Sequence, residues 1–176
     1  AGFTHWAKLN NLKQAAKTMN FLTEHGISSY GELESKLTAV SARRDTAHAE
    51  IKRIESRSAE LTLVMKHAGT YRQLKPLYDR YRKSNDKEKF LRGHESEIIL
   101  FEAAARELKR LGAVPLPITE SMKTELAKLN AEKERLLAEY KAARTEAQEY
   151  DTVKQNVDAL LTVPKEQEQQ RRHELE

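Results

Sequence analysis

The sequence has no cysteine, which excludes a disulfide framework, a thiol nucleophile and a thiolate metal site. Glycine and proline are scarce, at 6 and 4 of 176 residues, and aromatic side chains make up only 6%, too few for a thick globular core. No apolar run approaches the roughly 20 residues needed to span a bilayer, and the N-terminus lacks the basic-then-apolar order of a signal peptide. These absences predict a soluble, cytoplasmic protein without membrane insertion.

What fills the sequence instead is charge, at 33%, carried with alanine and leucine in the mixture typical of long helices and coiled coils. The predicted fold class is all-α: a long antiparallel coiled-coil hairpin with a short helical tip and an N-terminal helix. The formal net charge of +4 permits an acidic partner without requiring one. Its distribution is uneven. Residues 69–92 hold eight Lys or Arg against three Asp or Glu, net +5, whereas residues 119–161 hold seven against nine, net −2.

Residues 1–26 read as an N-terminal helix at the base, from about Thr4 to Glu24, with Trp6, Leu9, Leu12, Ala16, Met19 and Leu22 at helical spacing. Thr4 is a candidate N-cap, Trp6 a core contact, and Gly26 the stop. Residues 27–68 open on Ser29 and Glu32, spaced as a capping box. Apolar residues then step by four and three through Leu33, Leu37, Val40, Ala47, Ile51, Ile54, Leu61 and Met65, with Arg44 and Ser58 as the breaks. The same register returns in residues 119–161, through Met122, Leu126, Leu129, Lys133, Leu136, Tyr140, Ala143, Ala147, Tyr150, Lys154, Val157 and Leu161. A spacing averaging 3.5 residues keeps one narrow seam facing a partner helix. Matching lengths favour a hairpin within one chain, although a heptad seam fits pairing between chains equally well. Between the seams, residues 69–118 form the predicted tip of two short helices, with Pro76 as a kink or a first turn, Gly112 as a stop and Thr119 as the N-cap of the return helix. Residues 162–176 are a polar tail expected to be disordered at least in part.

Chemistry is hard to place on this sequence. The six histidines are scattered, with no spacing that would put two on one metal, and there is no glycine-rich phosphate loop or nucleophile elbow. No catalytic residue, metal or cofactor is therefore expected. Arg43 and Arg44, where the seam is most polar, are expected to snorkel.

One constellation rises above the background. From Tyr71 to Arg92, basic and aromatic residues alternate, and Arg72, Lys75, Arg80, Arg82, Lys83, Lys87, Lys89 and Arg92, with Tyr78 and Tyr81, are the candidate nucleic-acid-binding residues. Lysine and arginine neutralise phosphates, and tyrosine rings offer faces to unstacked bases. The ordinary reading stands beside this one: Tyr71, Leu74, Tyr78 and Tyr81 as the buried face of a helix, and the cations as its wet face.

The stretch Trp6-Ala7-Lys8, then Asn11 to Leu22, then Gly26-Ile27, resembles the opening of the C-terminal helical region of relaxases, the mobilisation nucleases of conjugative transposons. Tyr78 to Ser84, Lys89-Phe90, His94-Glu95, Asn156-Val157-Asp158 and Leu160-Leu161 are similar to that region's later landmarks, in order. The resemblance implies a setting of conjugation and DNA processing in a bacterial cytoplasm. In such relaxases a tyrosine of a separate domain nicks DNA beside a metal on a histidine cluster. No histidine here reproduces that cluster, so no catalytic role is carried over. The expected function is a non-catalytic region aiding DNA binding or docking to other conjugation proteins. The alternative is a structural coiled-coil module for self-association.

Overall fold

The computed structural model describes the backbone of residues 2–173 and the side chains of residues 10–162. Among the described residues there are four helices and no strand: α1 Gly2–Glu24, α2 Tyr30–Lys83, α3 Lys87–Arg110 and α4 Thr119–His173. The fold is all-α, as the spacing predicts. No helix among the described residues is long and apolar enough to cross a membrane.

Local chemistry sets the helix ends. Gly26 closes α1 with φ at 61°, which lets the N–H of Ile27 reach the Leu22 carbonyl at 2.8 Å. Gly112 repeats the motif after α3, at φ 68°, with the N–H of Ala113 donating to the Leu108 carbonyl at 2.9 Å. At the start of α2 the Ser29 hydroxyl accepts the Glu32 N–H at 3.2 Å, while the Glu32 carboxylate accepts the Ser28 N–H at 2.7 Å. The predicted capping box is thus present, with its return bond moved one residue outward. Those Ser28 bonds hold the Glu32 carboxyl below the usual range.

Four boundaries differ from the sequence reading. α1 begins at Gly2, so Thr4 lies inside the helix and does not cap it. α2 does not stop near residue 68 but runs unbroken through Gly69 and Pro76 to Lys83. It continues because Leu61, Val64, Ala68 and Tyr71 pack into one cluster on both sides of Gly69, a gain that outweighs the helix penalty of glycine, about 1 kcal/mol. Pro76 leaves the Arg72 carbonyl without a helical donor, and both residues are exposed, so water can supply one. Thr119 is the first residue of α4, not its cap. Beyond Leu161 the helix continues to His173 through a segment rich in the good helix formers Lys, Glu, Gln and Arg. The tail expected to be disordered is helical to that point, and residues 174–176 lie outside the described residues. So does the Trp6 side chain.

The chain divides into two compact units, Ala1–His48 with Leu137–Glu176, and Ala49–Leu136. In each, α2 packs against α4 within the one chain and antiparallel. In the first unit Tyr30 meets Asp158, Arg43 meets Glu146 and His48 meets Tyr140, so α4 positions fall as α2 positions rise. In the second, Glu55 pairs with Lys133 at 3.0 Å and Arg57 with Glu125 at 2.8 Å.

The first unit buries Leu33, Val40, Ala147, Tyr150 and Val153, with Phe21, Leu22 and Ile27 against them. Ala47 and Ala143 are also buried, small side chains at seam positions. Of the expected α1 face only part turns inward: Leu22 packs on this core, Leu12 and Met19 do not. Leu12 and Met19 are 68% and 60% exposed, whereas Thr18 is buried, accepting a bond from the Asn156 amide at 3.2 Å, and Phe21 sets its edge on Tyr150. Lys154, a polar seam position, sits among Tyr30, Glu34 and Asp158; the Tyr30 hydroxyl donates to Asp158 at 2.7 Å and Lys154 donates to it at 3.1 Å. Tyr30 and Asp158 hold the Lys154 ammonium above the usual lysine range, and Tyr30 and Lys154 hold the Asp158 carboxyl below its own.

The second unit's core joins Leu61, Val64 and Ala68 of α2, Leu108 of α3, Ala113 of the connection that follows α3, and Met122 of α4. Ser58, a break in the seam, has its hydroxyl buried with no hydrogen-bond partner among the described residues.

Two predictions follow from this packing. Ile54, 2% exposed, fills the seam, so Ile54→Ala should cost about 2–5 kcal/mol in urea unfolding, while Ser58→Ala should gain about 1 kcal/mol by deleting an unsatisfied hydroxyl. Equal losses from both would contradict the register. The second concerns pH. Asp158 and Glu55 are depressed below their ordinary values of 3.8 and 4.5, the first by Tyr30 and Lys154, the second by Lys133 and Lys52. Their stabilisation is complete above those ordinary values and lost as pH falls through the lower folded values. The thermal midpoint should hold down to about pH 5 and fall below it, and Asp158→Asn with Glu55→Gln should flatten the fall.

Candidate nucleic-acid interface

All ten residues singled out in the sequence lie in the second unit, where α2 ends, the chain turns at Ser84–Asp86 and α3 begins. The corner is fixed by its caps. The Asp86 carboxylate accepts the Lys89 N–H at 3.0 Å, and the Ser84 hydroxyl accepts the Asp86 N–H at 3.3 Å. Arg80, Arg82 and Lys83 occupy the last turn of α2, where the carbonyl end of the helix favours positive charge.

The aromatic residues face inward. Phe101 of α3 lies between Tyr71 and Tyr78 of α2, its ring centroid 4.7 Å from the first and 4.2 Å from the second, both stacked. Tyr81 tilts towards Tyr78 at 5.9 Å and Phe90 at 6.1 Å, and Phe90 packs on His94 at 4.8 Å. This row zips α2 to α3. Tyr78 and Tyr81 are half-buried in it, which is the ordinary placement considered for them in the sequence.

The cations divide into two groups. Arg72 is tied down: its guanidinium donates to the Pro117 carbonyl at 2.6 Å and to the Thr119 hydroxyl. Lys75 donates to both oxygens of Asp79, at 2.6 and 2.8 Å, which holds its ammonium above the usual range. Arg92 has a loose contact with Glu88 at 3.8 Å. Among the described residues Arg80, Arg82, Lys83, Lys87 and Lys89 are exposed and have no acidic partner. Between α2 and α3 is an open cleft of about 400 Å³, with Lys75, Asp79, Arg82 and Lys83 around it and Tyr71, Tyr78 and Phe101 along its wall.

The sequence reading missed the bend in α3. At His94 the backbone leaves helical geometry, at φ −141° and ψ 25°, so the segment carrying Lys87, Lys89 and Arg92 is set off from the part that carries Phe101. His94 packs there on Phe90, and its buried Nδ1, 3.6 Å from Glu97, has no hydrogen-bond partner among the described residues. Gly93 was the available signal. A second cleft, of about 460 Å³, lies in the first unit between α1 and α4 beside Thr18 and Asn156. Arg43 and Arg44 do not simply snorkel: Arg43 pairs with Glu146 and Arg44 with Asp45.

Among the described residues no group of three His, Asp or Glu side chains is placed to hold a metal ion. No protein-family model, curated protein or solved structure matches the chain.

Arg72 is thus assigned to structure. Arg72→Gln should speed amide hydrogen exchange across residues 113–118 several-fold at unchanged helicity, while Arg80→Gln leaves those residues as they are, read by exchange mass spectrometry. Equal protection in both variants would remove Arg72 from that role.

Proposed function

We propose that this chain is a non-catalytic helical region of a relaxase from a bacterial conjugative element, acting in the cytoplasm, and that its α2–α3 corner helps hold DNA. The carrying observation is the group of five exposed, unpaired cations between Arg80 and Lys89. Ion pairing is common elsewhere on these helices, as at Arg43, Arg53, Arg57, Lys133 and Lys154, so cations left open together are available to phosphates. The resemblance to relaxases supports the setting. Two of its blocks, far apart in the sequence, touch in the fold at Thr18 and Asn156.

A structural module for self-association is the second reading, favoured by the exposed Leu12 and Met19 of α1 and by Leu160 and Leu161 of α4. Docking to other conjugation proteins is compatible with either.

Binding of DNA by the whole chain should weaken on the order of a hundredfold between about 50 and 200 mM salt if about five phosphates are neutralised. Changing Arg80, Arg82, Lys83, Lys87 and Lys89 to Gln should abolish binding and its salt slope at unchanged helicity, whereas Lys123, Lys128 and Lys141 to Gln on α4 should have little effect. A chain that ignores DNA at low salt but sediments as a stable dimer belongs to the second reading.

A further inference from the structure

The way the tyrosines are used decides which form of DNA the corner fits. A protein that grips single strands presents open aromatic faces on which unstacked bases lie. Here Phe101 occupies the space between Tyr71 and Tyr78, and Tyr81 leans on Tyr78 and Phe90. The rings are engaged in joining the two helices. Freeing one to hold a base would open the contact between α2 and α3.

What the corner turns outward is charge on rigid helices. Lys75 is matched by Asp79 at 2.6 Å, so the positive charge left at the cleft is that of Arg82 and Lys83. The apolar wall behind them, Tyr71, Tyr78 and Phe101, lowers the local dielectric and strengthens an ionic contact made at its edge. Arg80 adds to this on α2, and Lys87 and Lys89 on the first turn of α3. These groups carry only donors, which match the acceptor oxygens that every phosphate offers whatever its base.

We infer that the corner takes the phosphate backbone of duplex DNA without regard to base sequence, with a phosphate seated in the α2–α3 cleft against Arg82 and Lys83. The inference rests on the DNA-holding function proposed above and specifies its ligand. Charge complementarity favours the duplex, whose two strands place one negative charge per roughly 1.7 Å of axis in a fixed array. A single strand offers fewer charges per length, and the tyrosine rings here are half-buried in the contact between α2 and α3.

Fluorescence anisotropy with the whole chain tests this, using a short mixed-sequence duplex, each of its strands alone, a duplex of different base composition, and anionic phospholipid vesicles. The duplex should bind at least about tenfold tighter than either strand at equal salt, and the two duplexes within about twofold of each other. Arg82→Gln with Lys83→Gln should weaken duplex binding about tenfold or more, and further than Lys87→Gln with Lys89→Gln. Tyr78→Phe, which keeps the stack, should leave affinity unchanged. Single-strand preference, a marked dependence on base composition, equal effects of the two cation pairs, or tighter binding to vesicles would each overturn the inference while leaving an anion-binding corner in place. Absence of binding to every probe would remove the proposed DNA-holding function as well.

Discussion

The antiparallel pairing of α2 with α4 is the contact on which the other features depend. Neither helix could bury an apolar stripe alone, because a seam stepping by four and three residues is too narrow to fold on itself and must be covered by a second helix. Closing that seam within the chain places Tyr30 at Asp158 and Glu55 at Lys133, and it lets α1 settle on α4 through Thr18 and Asn156. It also converts Lys133 and Lys154 from flaws in the pattern into register marks. Each reaches an acidic residue of α2, Glu55 and Glu34 respectively.

The second unit shows how a third helix is added to such a pair. Leu108 and Ala113 complete a core begun by Leu61, Val64, Ala68 and Met122, and the aromatic row extends that contact along α2 and α3. The row explains why the corner is both basic and firm. Aromatic groups are turned to the interior, cations to solvent, and two caps hold the connection between the helices. A binding surface on rigid helices loses little conformational entropy when a ligand arrives.

The seam from Leu33 to Leu61, its partner from Met122 to Val157, the glycine stops at 26 and 112, and the all-α class were all legible in the sequence. Each is a local property: heptad spacing and the left-handed glycine are set by neighbours a few residues away. Val64 and Val153, one position off the expected seam, were not anticipated, because a third helix widens the stripe that a two-stranded pattern would bury. α1 failed for the same reason in reverse. Its apolar spacing pointed to Leu12, Met19 and Leu22; Leu22 packs on the core, but the fold left Leu12 and Met19 exposed, buried Thr18 and half-buried Phe21.

For the corner, the sequence determined which residues are present and that positive charge concentrates there. Only the tertiary structure decided which charges are free. Arg72 and Lys75 are as basic as Arg82 and Lys83, yet the first is claimed by Pro117 and Thr119, some 45 positions along the chain, and the second by Asp79 one turn away. The same holds for the tyrosines: Tyr78 stacks on Phe101, a ring from another helix, and Tyr81 tilts towards Tyr78 and Phe90. Charge and ring count are summed along the chain, whereas availability depends on the partners that folding brings within a few ångströms.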